Sequence, residues 1–353
     1  MTTKFIYLPI ALSVMALVKP AHADVTIEGL NGLEAVKLFG DMRMRFERTD
    51  GDTIDTTSRA RLRARFGIKY AATENWSAQM RFRTTSSQHD STHQTFGITN
   101  TTDNDDFGLD RAFMKYTGIN NTRVYIGKAA AVYMHSSELL FRDDIALEGV
   151  QANWTNNTFS VNAGHIILEE NVDNGEGKRD ASWQQLQGVY AAQFNDIKFK
   201  AGIGGIFVSA SDTAYASAES GLDDDQAGNV MTYNADLRMG PFRLAADYYT
   251  SEAQSDNTAY TVHARYQINK EFGVRFYILH TEAYALPMNG AFTQTNTPGS
   301  YTNIKGTRVQ LDYKIADNLN ADLRWYSVDN LNKDIATNNE GRDRLQVNLN
   351  MKF

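Results

Sequence analysis

The chain has 353 residues, 5 prolines, no cysteine and a formal charge of −7. The length allows two ordinary domains, but no segment reads as a linker. The missing cysteine excludes a disulfide-stapled scaffold, a thiolate metal site and a cysteine nucleophile.

Residues 1–23 differ from the rest. Lys4 gives a positive start, Phe5 to Val18 an apolar stretch, and Ala21-His22-Ala23 a small-residue cleavage site. This is the pattern of a secretory signal peptide, too short to span a bilayer and expected to be cut before Asp24. It carries Lys4 and Lys19 and no acid, so its removal takes the formal charge from −7 to −9. Residues 24–36 form a short lead-in, and 37–353 read as one continuous domain. No later segment approaches the roughly 18 consecutive apolar residues of a membrane helix. Mean hydropathy is negative, which a lipid-embedded barrel also shows, because only alternate residues of each strand face lipid.

From residue 38 the sequence alternates. Leu38, Met42, Met44 and Phe46 oppose Asp41, Arg43, Arg45 and Glu47. Residues 58–70 are stricter still, with Arg59, Arg61, Arg63, Arg65 and Lys69 on one face and Ala60, Leu62, Ala64, Phe66, Ile68 and Tyr70 on the other, since successive side chains of a strand point to opposite sides. The pattern predicts sixteen strands, over 38–48, 58–70, 76–86, 107–117, 122–128, 147–155, 158–168, 183–194, 197–208, 230–239, 242–251, 258–268, 272–283, 304–315, 319–328 and 343–353. Most are about ten residues long, enough to cross a bilayer at a tilt, and their number is even. The expected fold class is therefore all-β, an antiparallel transmembrane barrel.

Connection lengths sort by parity. Short turns such as Asn156-Asn157, Asn195-Asp196 and Gly240-Pro241 alternate with longer polar stretches: 49–57, 87–106, 129–146, 169–182, 209–229, 252–257, 284–303 and 329–342. A membrane barrel predicts this, with short periplasmic turns and longer external loops. Tyr70, Trp76, Tyr116, Trp154, Phe159, Phe194, Phe242, Phe272, Tyr313 and Phe353 cluster at the short-turn ends, where amphipathic rings form an interfacial girdle.

Several segments carry a family likeness: Leu38-Phe39-Gly40-Asp41-Met42-Arg43-Met44-Arg45, Ser58-Arg59-Ala60-Arg61-Leu62-Arg63, Gly108-Leu109-Asp110-Arg111-Ala112-Phe113-Met114-Lys115-Tyr116, Gly127-Lys128 and Leu147-Glu148-Gly149-Val150. The series resembles the "putative porin" family of proteobacterial outer-membrane proteins, best over residues 38–155. The layout is more loosely similar to the sixteen-stranded general porins, down to Phe353 closing an alternating last strand, the ending that the barrel-assembly machinery recognises. The resemblance implies a bacterial outer-membrane location among lipid and lipopolysaccharide, a homotrimer, and passive diffusion of small hydrophilic solutes. It implies no cofactor and no nucleic-acid partner. The chain departs from the family in having no helical coiled-coil segment before the barrel.

The lumen face of the first three strands carries Arg43, Arg45, Arg59, Arg61, Arg63, Arg65, Arg81 and Arg83. With neighbouring strands about 4.8 Å apart they form one basic wall patch, tolerable only in water or opposite acids. The opposing acids expected in or beside the third long loop are Glu138, Asp143, Asp144 and Glu148. In general porins that loop folds into the barrel; here the resemblance implies an acidic constriction facing the patch, and a transverse field. The apolar runs Val132-Tyr133-Met134 and Leu139-Leu140-Phe141 fit packing against the wall. A structural reading competes, in which the arginines pair with Asp41, Glu47 and Asp110 and hold the barrel together. Whether the pore prefers anions is open at this point, since eight arginines and a net acidic chain point opposite ways.

Other features read as structural. His89 and His93 sit in a polar loop rather than on a metal-binding helix. Asp103-Asn104-Asp105-Asp106 and Asp223-Asp224-Asp225 are external loop charge that could share divalent cations with lipopolysaccharide phosphates. Gly202-Ile203-Gly204-Gly205 lacks the third glycine and helix of a phosphate loop and reads as a strand with room for close packing. A barrel enzyme would need a nucleophile or acid–base set at the rim, yet His165 and His280, near outer strand ends, have no convincing partner. An adhesin or receptor would act through the external loops, which nothing marks.

Overall fold

A computed structural model describes residues 25–26, 35–51, 55–84, 92–97, 107–141, 145–173, 178–210, 229–287, 297–298, 302–332 and 341–353. The signal-peptide residues 1–23 lie outside this set. Sixteen strands form a closed antiparallel barrel. They are β1 (Val36–Gly51), β2 (Thr57–Ala71), β3 (Trp76–Thr84), β4 (Phe107–Tyr116), β5 (Thr122–Ala129), β6 (Leu147–Thr155), β7 (Phe159–Asp173) and β8 (Lys178–Phe194). Then follow β9 (Ile197–Ala210), β10 (Val230–Met239), β11 (Phe242–Ser251), β12 (Thr258–Gln267), β13 (Phe272–Thr281), β14 (Ile304–Ala316), β15 (Leu319–Asn330) and β16 (Arg342–Lys352). Each pairs with the next, and β16 closes on β1 through pairs such as Val347 with Phe46 and Asn348 with Arg45.

The burial pattern inverts that of a soluble protein. On β2, Arg63 is 5% exposed while Phe66, Ile68 and Tyr70 are 45–46% exposed. The outward apolar column is compatible only with lipid, and the inward column with a hydrated lumen. At the short turns, cross-strand aromatic pairs clamp adjacent strands, including Trp76–Tyr116 at 4.8 Å and Phe242–Tyr266 and Phe272–Tyr313 at 4.6 Å between ring centroids. Each such pair contributes about 0.5–1.5 kcal/mol beyond its area burial. The turns are closed by local chemistry. Asn269 Oδ1 accepts from the N–H groups of Glu271 and Phe272, and Asn195 takes the left-handed conformation at φ 51°.

Two features depart from the predicted map. The β7–β8 hairpin runs on to Asp173 and starts again at Lys178, because a backbone ladder can continue after hydrophobic alternation has ended. Within the second long loop, Gln94 and Thr95 pair with Leu62 and Arg61 of β2. β3 stops at Thr84, so this stretch of β2 would otherwise present an unpaired edge. At the other end of the chain, Gly40 and Phe353 exchange both backbone hydrogen bonds, at 2.9 and 3.1 Å.

Candidate constriction site

In the third long connection, the described residues 130–141 turn into the barrel, and lumen-facing polar residues hold them there. Gln151 on β6 accepts from the Val132 N–H at 3.0 Å and donates to the Ala130 carbonyl at 3.2 Å. Gln187 on β8 repeats this with Met134, at 2.7 and 3.0 Å. Each glutamine amide satisfies one donor and one acceptor of the loop backbone, as a neighbouring strand would. Further on, the Asp247 carboxylate on β11 accepts from the N–H groups of Ser136 (2.9 Å) and Ser137 (2.7 Å) and from Asn234 Nδ2 (2.8 Å). Bonds to an ionised acceptor contribute about 1.5–3 kcal/mol each.

Apolar packing completes the attachment. Tyr133, Leu139, Leu140 and Phe141 are buried against Ile166, Trp183, Ile206, Val230 and Tyr249 of the wall and Ala285 and Leu286 from the connection after β13. Phe141 takes a left-handed φ of 58°, a cost of about 1–3 kcal/mol, and its ring packs 5.9 Å from Trp183. The Tyr133 hydroxyl shares a hydrogen bond with Thr232 at 2.7 Å, and burial pushes its pKa up to about 12. The wall makes room at Gly204, where a Cβ would stand 2.2 Å from the Tyr133 oxygen. The glycine-rich run of β9 is thus the bed of the loop.

The loop tip crosses to the opposite wall. Glu138 accepts from Arg308 Nη1 at 3.1 Å and lies 3.8 Å from Arg324 Nη1. The Arg308 guanidinium stands 3.6 Å from the Tyr277 ring centre and 5.6 Å from that of Tyr326, a cation–π clamp that fixes it for Glu138. Glu138, Arg43, Arg63, Arg65, Arg324 and Arg275, with Asp41, Asp312 and Asp322, line one cavity of about 290 Å³.

The eight arginines of the patch are brought together on β1–β3, with definite partners. Asp41 pairs with Arg63 at 2.7 Å and Arg65 at 2.8 Å. Glu47 pairs with Arg59 at 2.6 Å and lies 3.9 Å from Arg45. Asp110 pairs with Arg81 and lies 3.6 Å from Arg83. Arg43 and Arg45 donate to Asn350 and Asn348 of β16, and Arg61 to the His93 carbonyl. The structural pairing and the lumen patch are therefore one arrangement.

The acids divide differently from expectation. Glu138 meets Arg308 and Arg324 directly, two residues that alternation gave no reason to single out. Glu148 is not a lumen acid. It stands opposite Lys128 in register, on the face of the exposed Val150 and Ile126, and its 2.8 Å ion pair with Lys128 lies on the outer surface. Parity dictates this, because Gln151 points inward and Glu148 is three residues away. Asp143 and Asp144 lie outside the described residues, as do His89, Asp103 to Asp106 and Asp223 to Asp225. His93 is buried against the arginine wall. His280 stacks on Tyr260 at 4.9 Å and lies 3.4 Å from Glu282, and His165 lies 3.3 Å from Gln184.

The family described as "putative porin" matches residues 46–249 of this chain. No curated protein matches its sequence. Among solved structures, Pseudomonas putida OprB superposes with a TM-score of 0.63 at 9% identity, over 90% of this chain and 94% of that one. Salmonella typhi OmpF, solved with daunomycin, gives 0.58 at 13% identity over 90% and 98% of the two chains. A mutant of Rh. blastica porin gives 0.54 at 10% identity over 90% and 100%. At such identities the likeness is one of fold.

Proposed function

The chain belongs to the "putative porin" family, and from that membership we propose that small hydrophilic solutes and ions diffuse passively through its lumen across the outer membrane. The observation that carries this reading is the docked loop. It fills the β6–β11 side of the lumen and leaves a charged opening between its tip and the β1–β2 and β13–β16 walls. A barrel of sixteen strands encloses water unless something fills it, and this loop fills only part. Glu138, Asp41, Asp312 and Asp322 are set among Arg43, Arg63, Arg65 and Arg324, so the opening is lined by both signs of charge and suits hydrophilic solutes.

Family and fold favour a channel over an enzyme. The same reading takes the chain to be exported through cleavage before Asp24, assembled through Phe353 and built into a homotrimer. Lipopolysaccharide would contact outward charges at the external rim such as Arg48 and Asp50, paired at 2.9 Å. The test is single-channel recording of purified, folded protein in planar bilayers. Stepwise conductance is expected, and a folded protein that inserts without conducting would overturn the reading.

A further inference from the structure

Five adjacent strands place one cation each directly opposite the next. Lys198 on β9 faces Arg238 on β10, which faces Arg243 on β11, then Arg265 on β12, then Arg275 on β13. Like charges at cross-strand positions destabilise a sheet, so an unbroken row of five needs compensation. Asp236 bridges Arg238 and Arg243 at 3.0 and 2.5 Å, and Asp312 holds Arg275 at 2.6 Å. Lys198 and Arg265 have no ion pair among the described residues. Arg265 donates to Gln267 Oε1 at 2.7 Å, and its Nε has no partner.

The row also leads somewhere. Barrel strands tilt by about 35–45°, so a line of cross-strand neighbours climbs the wall as it goes round. It starts beside the short turn at Asn195 and continues through Gln310 to Arg324, which meets Glu138 at the loop tip. A recess of about 420 Å³ at the foot of the wall is lined by the cations Arg265, Arg275, Lys270 and Lys314 and the acids Glu271, Asp312 and Asp317, of which Asp317 pairs with Lys314 at 2.6 Å, and it shares Arg275, Asp312 and Asn320 with the cavity beneath Glu138. The constriction and the short-turn mouth are thus joined along a cationic track.

We infer that this track is a transient binding path for small oxyanions with two or more charges, such as phosphates or polycarboxylates, between the constriction and the periplasmic mouth. The inference rests on the diffusion-pore reading and adds the solute class. Cross-strand neighbours about 5 Å apart offer successive sites to the separate charges of one such anion, and rings of Arg and Lys select anions in pores. The net acidity of the chain does not oppose this, because permeation responds to the lumen wall and not to the overall charge.

The experiment adds citrate or inorganic phosphate to the short-turn side of single channels conducting KCl, with monovalent gluconate as control. Wild type should show saturable block by the multivalent anions and none by gluconate. In Arg243→Gln/Arg265→Gln, still inserting in conducting steps, block should weaken about tenfold, and Arg243→Lys/Arg265→Lys should restore it. Equal block in the double Gln variant, or none in conducting wild type, would overturn the track. Absence of conducting steps from folded wild type would instead overturn the pore.

Discussion

Arg308 donates from Nη1 to Glu138 Oε2 over 3.1 Å, joining the loop tip to the wall opposite the loop's own attachments. The loop is thereby held at both ends of its path across the lumen. Removing Glu138 leaves Arg308 and Arg324 without their shared acid. Glu138→Gln should shift the reversal potential under a salt gradient toward anions and add noise to the open current, measured on single channels.

Asp247 is the strongest single attachment, accepting from two consecutive backbone N–H groups. Asp247→Ala should weaken loop docking by about 3 kcal/mol, the loss of charged-acceptor hydrogen bonds. The barrel ladder itself does not depend on Asp247. Limited proteolysis should therefore cut within 130–146 while the barrel keeps its folded mobility on unheated gels.

Gly204 leaves space that Tyr133 occupies. Gly204→Ala would put a Cβ 2.2 Å from the Tyr133 oxygen and 2.5 Å from the Leu186 carbonyl. Overpacking of this kind costs about 1–3 kcal/mol. A lowered thermal midpoint is expected. Adding Tyr133→Phe should recover part of the loss, because it removes the closer of the two contacts.

His93 carries a pH dependence. Burial first, and then the positive field of Arg45, Arg43, Arg63 and Arg61, hold its imidazole well below the ordinary 6.5. The docked segment therefore favours neutral His93, while the undocked segment takes up a proton near the ordinary value. Docking is fully supported above that value and loses support as pH falls from it toward the depressed one. Hydrogen exchange at residues 92–97 should be faster at about pH 5 than at about pH 8. His93→Asn should flatten the difference.

The barrel is legible in the sequence because lipid on one side and water on the other impose a two-residue period on every strand. The same parity places the eight arginines on the lumen face and, counted back from Gln151, turns Glu148 outward. Which inward residues grip the loop is another matter. Gln151, Gln187 and Asp247 look like any polar lumen residue, and their role appears only when the loop's path is known. The cation row is similarly hidden, since its members from Lys198 to Arg275 are spread along the sequence and fall in line through register alone. Arg308 is hidden for the same reason, its partner lying in a loop that crosses the whole lumen.

Trp183, Ile166, Ile206 and Tyr249 point inward yet are covered by loop side chains rather than water. Transplanting 130–146 into another barrel would leave its apolar ridge without a seat, and deleting it here would wet a greasy concave wall. The loop and the β6–β11 half-cylinder are therefore the smallest portable unit. An engineer resizing this aperture, or a lineage exchanging it by recombination, has to move both together.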